Sequence, residues 1–120
     1  DAAARENVEM EIRDRFGPLP EPLENFLAVL AFKSRVNELG VARADILPDR
    51  VRVTWADGQK KVRPEDIVRL VMAHRDRIRL QPPATLELSL GGGERLAARL
   101  DEARTLLGAL QQTPAVNSAS

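Results

Sequence analysis

Two carboxylates, Glu11 and Asp14, have the type and spacing for chemistry between surfaces. At 100° per residue they fall about 60° apart on one side of a helix, with the Met10 thioether beside Asp14. Val8, Ile12 and Phe16 recur at four-residue spacing on the other side and form the stripe that a core would cover. An acidic pair beside an exposed sulfur suits a docking edge, where a partner's guanidinium groups donate charge-assisted hydrogen bonds to the carboxylates. The same pattern is also that of a solvated charged face, the commoner fate of exposed acids.

Other residue types that could do chemistry resolve into structural roles or into a rival reading. Lys60, Lys61 and Arg63 form a basic cluster, read either as a DNA-contacting patch or as charges guarding a strand edge against aggregation. Composition opposes the first: Lys+Arg and Asp+Glu both number 18, so the drive toward a phosphate backbone is missing. Aromatic residues make up only 3%, too few for base-stacking platforms. His74 is the only histidine and sits near a helix end, where a cation meets the carbonyl dipole favourably. With no second histidine, cysteine or activated serine beside it, it reads as structural. Gly91-Gly92-Gly93 precedes a helical pattern but is not followed by Gly-Lys-Ser/Thr, and Glu94 would repel an anion, so the run reads as a hinge. There is no cysteine, hence no disulfide and no thiolate metal site. The remaining carboxylates stand among arginines at helical spacings that form surface ion pairs. No catalytic residues, cofactor or metal are expected, and an interaction or regulatory module remains.

The elements that must position these groups are set by punctuation. Residues 2–16 read as a helix with no cap-like context at Asp1, as though cut from a longer chain. Gly17-Pro18-Leu19-Pro20 stops it in a stiff corner, with Phe16 and Leu19 as apolar pins. Pro22 opens a second helix, Glu21 to Leu39, closed by Gly40. This helix is apolar on two sides: Leu23, Phe26, Leu27 and Leu30 on one, Val29, Phe32, Val36 and Leu39 on the other. It is expected to be buried between the sheet and the first helix. Val41 to Leu47 is a candidate strand ended by Pro48-Asp49. Val51, Val53 and Trp55 alternate with Arg52 and Thr54, so a half-buried strand with Trp55 as an anchor follows. Asp57-Gly58 predicts a tight hairpin, with Gln59 to Val62 returning antiparallel. Arg63-Pro64-Glu65-Asp66 starts a third helix with Ile67, Leu70, Val71 and His74 inward. Ile78 to Leu80 and the alternating run Leu86, Leu88, Leu90 are further strands. Glu94 to Leu110 is an amphipathic helix whose Leu96, Leu100, Ala103, Leu107 and Leu110 pack back on the domain, widened by Leu106.

These elements make an α+β fold, a small, mostly antiparallel sheet packed against several helices. The 120 residues suffice for one domain, expected over 1–112, with 113–120 a disordered tail. No apolar run approaches the ~20 residues that cross a bilayer, and no signal-peptide layout opens the chain. A soluble, cytoplasmic location is the expectation.

The run Asp14-Arg15-Phe16-Gly17-Pro18-Leu19-Pro20, followed by an apolar helix ending in Leu39-Gly40-Val41, resembles the C-terminal domain of the bacterial transcription-repair coupling factors. The similarity extends from about Val8 to Leu110 and loosens after residue 80. The resemblance implies a non-catalytic unit that follows an ATPase motor and folds back on a module of the same polypeptide that mimics part of a repair protein. It would thereby cover the surface meant for the damage-recognition ATPase of excision repair until the motor engages stalled RNA polymerase. The family's acidic clamp positions precede the corner motif and fall here on Glu11 and Asp14. Met10 as an added apolar contact is a separate inference from helical phase. The alternatives are the DNA-contacting accessory role of Lys60, Lys61 and Arg63, and a purely structural cap.

Overall fold

The computed structural model describes residues 18–91, 93 and 95–110. Helix α1 (Glu21–Glu38) begins behind Pro20, whose carbonyl accepts the Glu24 amide at 2.9 Å. Glu21 and Glu24 lie in its first turn and Arg35 in its last, each at the dipole end that favours its charge. Gly40, at φ +86°, then reverses the chain into β1 (Val41–Ile46).

A turn at Pro48 and Asp49 joins β1 to β2 (Arg50–Trp55), and the two strands pair antiparallel. Helix α2 (Pro64–Ala73) carries the chain past the sheet to β3 (Ile78–Gln81), which turns through Pro82 and Pro83 into β4 (Thr85–Ser89). The strand order is β1-β2-β4-β3, with every pairing antiparallel. Helix α3 (Leu96–Leu107) closes the fold by lying along α1. The α+β architecture read from the sequence is the one observed.

The core forms between one face of the sheet and the helices. Val51, Val53, Leu86, Leu88 and Ile78 meet Phe32, Val36 and Leu39 from α1 and Leu100, Ala103 and Leu107 from α3, all at or close to full burial. Trp55 is buried as an anchor, its Nε1 donating to the Leu39 carbonyl at 2.8 Å. This bond ties the end of α1 to the end of β2.

Two expectations, on the Gln59–Val62 strand and on the length of the last helix, are corrected. The return strand at Gln59–Val62 does not form, although the chain turns at Asp57 and Gly58. Both edges of β2 are already taken, by β1 and β4, so no ladder position is left for it. The segment is held by a side chain instead: the Gln59 carboxamide oxygen accepts the Lys61 and Val62 amides at 2.8 and 3.0 Å, and its nitrogen donates to the Val62 carbonyl at 2.7 Å. The burial of α1 between the sheet and the first helix is seen only on the sheet side, because the first helix lies outside the described residues. Phe32 is fully buried, while Leu23 and Phe26 on the opposite stripe are 37% and 59% exposed, and Leu27 and Leu30 are half-buried. The first helix expected over 2–16 and the tail at 113–120 lie outside the described residues. The last helix, α3, is shorter than the run 94–110, though its predicted inner residues Leu100, Ala103, Leu107 and Leu110 are all buried and Leu96 is half-buried.

Candidate interaction surface

The acids expected to form the docking edge, Glu11 and Asp14, and their neighbour Met10 lie outside the described residues. What the structure gives is their point of attachment. The corner emerges at Pro18 with Leu19 half-buried, directly before the first turn of α1. That turn is fixed to α3 by an ion pair between Glu24 and Arg95. A second ion pair, Arg77 to Glu102, joins the start of β3 to α3. The scaffold behind the corner is therefore pinned on two elements.

The basic cluster is only partly committed within the domain. Lys60, Lys61 and Arg63 occupy the loop between β2 and α2 instead of a strand edge. The Arg63 guanidinium is committed to Asp66 at 3.1 and 3.4 Å. Lys61 Nζ reaches the Asn37 carbonyl at 3.5 Å, and Lys60 stays exposed. Asp66 also accepts from Arg69 at 3.2 Å, so two arginines share one carboxylate here.

The face of the sheet turned away from the helices is polar, as an antiparallel sheet covered on one side permits. Pairing places Asp45, Arg52, Glu87 and Arg79 in one row across all four strands, alternating in sign. Glu87 is 7% exposed and is the one buried charged residue among those described. It accepts from Arg52 at 2.8 Å and from Gln81 at 3.3 Å, and Arg50 lies 3.6 Å from its other oxygen. The Arg52 hydrogen bond holds the Glu87 carboxyl below the ordinary glutamate range; desolvation opposes this, and the charges of Arg50, Arg52 and Arg79 reinforce it. Arginine stems shield this carboxylate without placing it deep in the interior, which is why the charges outweigh the loss of water. Beside it, Asp49 is likewise held low, chiefly by its hydrogen bond from Arg50. The row spends its charges on itself and leaves little for a phosphate backbone. Sequence reasoning missed it because neighbours across strands are visible only once the strand order is known; the alternation of Arg50 and Arg52 with Val51 and Val53 was its only local trace.

His74 is the residue after α2, half-buried, with its amide donating to the Leu70 and Val71 carbonyls at 3.2 Å. The structural role expected of it fits this position. No group of three metal-ligating side chains occurs among the described residues, and no described helix is long and apolar enough to cross a membrane. Two apolar surfaces remain that sequence reasoning did not anticipate as open. One is a groove of about 630 Å³ lined by Trp55, Ile67, Val68, Leu80, Pro83 and Ala84. The other is the Leu23–Phe26 stripe of α1, which runs toward a groove of about 610 Å³ between α1 and the edge strand β1.

Comparison with known families decides the identity of the scaffold. The model of the TRCF domain matches residues 1–67, more than half of the chain. The chain belongs to the TRCF domain family. The match takes in the acidic segment, the corner, α1, β1, β2 and the first residues of α2, so the part of the TRCF domain that bears the candidate clamp is the part the family defines. The TRCF domain is a non-catalytic domain of the transcription-repair coupling factor, which places this chain in transcription-coupled DNA repair. A search of curated proteins gives no match. Most of α2, and β3, β4 and α3, lie beyond the matched stretch, which ends well short of Leu110.

Proposed function

We propose that this TRCF domain is an autoinhibitory interaction module. It folds back on the repair-protein-like module of its own polypeptide and masks the surface that recruits the damage-recognition ATPase until the motor engages stalled RNA polymerase. The observation that carries the reading is the family match across residues 1–67, which includes the acidic segment and the corner that follows it. Zero net charge and the commitment of Arg63 to Asp66 speak against the DNA-contacting alternative.

The mechanism is physical and modest. Glu11 and Asp14 meet arginines of the neighbouring module, with Met10 adding apolar contact. Each charge pair contributes on the order of 1 kcal/mol. Covalent linkage raises the effective concentration of the two surfaces, so a weak contact suffices to keep the module covered. Weakness also lets it open, because polymerase engagement need supply only a small differential affinity for the open state.

The test is Glu11→Ala with Asp14→Ala in the full-length coupling factor. Affinity for the damage-recognition ATPase and basal ATP hydrolysis both rise about tenfold, corresponding to about 1.4 kcal/mol of lost clamp, while the circular dichroism of the 120-residue chain is unchanged. Unaltered affinity for the repair protein would sink the assignment. Loss of folding in the 120-residue chain would reassign the two acids to structural roles.

A further inference from the structure

We propose that the outer edge of β3, with the groove between α2 and Leu80 beside it, takes up an extended segment of a partner protein as a fifth strand, one in which an acidic residue stands between two apolar ones. The surface is distinct from the proposed clamp and does not rest on it. The two ends of the sheet differ in how they are finished. At the β1 end the register shifts between Val41 and Arg43, and Asp45, which ends the cross-sheet row there, is paired with Arg43 of its own strand at 3.1 Å. A bulge and a neutralised charge both guard an edge against added strands. At the β3 end the register runs without a shift from Ile78 to Gln81, and Arg79, Leu80 and Gln81 are all exposed.

Backbone geometry leaves this edge open. The Ser89 amide donates to the Arg77 carbonyl at 2.8 Å, and bonded and non-bonded pairs alternate along an antiparallel ladder. Arg79 therefore exchanges its bonds with Glu87, while the amide and carbonyl of Leu80 point away from the sheet. No described strand lies beyond them. Side chains then say what the added strand carries. The row Asp45, Arg52, Glu87, Arg79 alternates in sign across four strands and ends on a cation, so the residue that would extend it opposite Arg79 is acidic. Among the described residues Arg50 and Arg52 reach Glu87 as ion pairs, whereas Arg79 acts on it through its charge alone and keeps its guanidinium donors to give. On the helix side, the neighbours of that acid fall beside Leu80, over a groove of about 630 Å³ lined by Trp55, Ile67, Val68, Pro83 and Ala84. Val68, Met72 and Leu80, three of the five large apolar side chains exposed among the described residues, belong to α2 and β3. An open edge next to an apolar groove suits strand addition, in which main-chain bonds give affinity and alternate side chains give specificity. A second copy of the chain does not fit, because β3 presents Arg79 and Gln81 on the polar face and no acid.

The test records amide spectra of the isotope-labelled 120-residue chain with three probes: the capped peptide Thr-Val-Glu-Val-Thr, the same peptide with lysine for glutamate, and the same peptide with both valines N-methylated. With the first, resonances shift at Arg79, Leu80 and Gln81, at Val68 and at the Trp55 indole. The lysine peptide binds about fivefold more weakly, the order of an opposite-charge cross-strand pair set against a like-charge one. Methylation of the valines, whose amides face β3, abolishes binding. Arg79→Gln, at an exposed position, keeps the circular dichroism of the chain and removes the preference for glutamate. Shifts confined to other surfaces, or none at millimolar peptide, overturn the site. Equal binding of the N-methylated peptide overturns the strand pairing, and a glutamate preference that survives Arg79→Gln overturns the charge match. A dimer of the chain alone that Leu80→Lys dissociates would give the edge to a second copy and overturn the partner.

Discussion

Phe32 and Phe26 sit on the same helix, yet one is fully buried and the other 59% exposed. Sequence pattern treats their two stripes alike, since each is an apolar run at helical spacing. What separates them is cover: the sheet and α3 close over Phe32, and no described element closes over Phe26. An apolar stripe at helical spacing therefore does not by itself say whether a surface is covered, or by what. The same contrast divides the sheet, whose inner face is aliphatic and whose outer face is an arginine–carboxylate ladder.

The sharpest way to break the comparison is to truncate both rings. Phe32→Ala leaves a cavity among packed neighbours and costs about 3–5 kcal/mol of unfolding free energy. Phe26→Ala, with half its ring already in water, shifts the same denaturant midpoint by no more than about 0.5 kcal/mol. Comparable losses at the two positions would mean that α1 is as firmly covered outside as inside.

A smaller effect is expected where the covered side ends. A Cβ at Gly40 would come within 2.4 Å of the Gln59 Oε1, in a backbone with φ +86° that side chains rarely adopt. Gly40→Ala should cost about 1–2 kcal/mol from backbone strain alone. It should also loosen the Gln59 bonds that order the loop to α2, seen as faster amide exchange at Lys61 and Val62. Unchanged exchange at those two amides would show that the loop does not depend on the close approach.

Gly40 was also one of the most legible positions, because a helix end needing positive φ leaves a glycine in the sequence. Pro64 at the start of α2 and the alternation Val51, Val53, Trp55 were legible for the same reason: each is a local rule obeyed locally. The error at Gln59–Val62 was of another kind. Asp57-Gly58 does turn the chain, but whether a returning segment finds a strand to pair with depends on β4, which lies far along the sequence. The ladder through Glu87 was hidden likewise, as it joins residues from four strands. For the candidate site, helical phase gives only an expected side for Glu11 and Asp14, which lie outside the described residues, whereas the exposure of Leu23 and Phe26 followed from tertiary packing that no spacing rule contains.

The ladder supplies the finest test, because it asks whether the uncovered side of the sheet contributes to stability at all. Glu87 is held below its ordinary value of 4.5, so its pairing stabilises the fold above that pH and is lost as pH falls through the folded-state value. Glu87→Gln keeps the shape and one acceptor but removes the charge. The variant should be less stable than the unaltered chain by about 1 kcal/mol at neutral pH, the order expected of one charge-assisted hydrogen bond among half-exposed arginines. As pH falls below about 4.5 the gap should shrink, and the two curves should meet once pH is under the lower folded-state value, since protonation does to the carboxylate what the substitution did. A gap that persists into acid would mean that the glutamate acts through packing. A gap absent at neutral pH would mean that the arginines do as well in water, and that the outer face, unlike the inner, is free to exchange its partners.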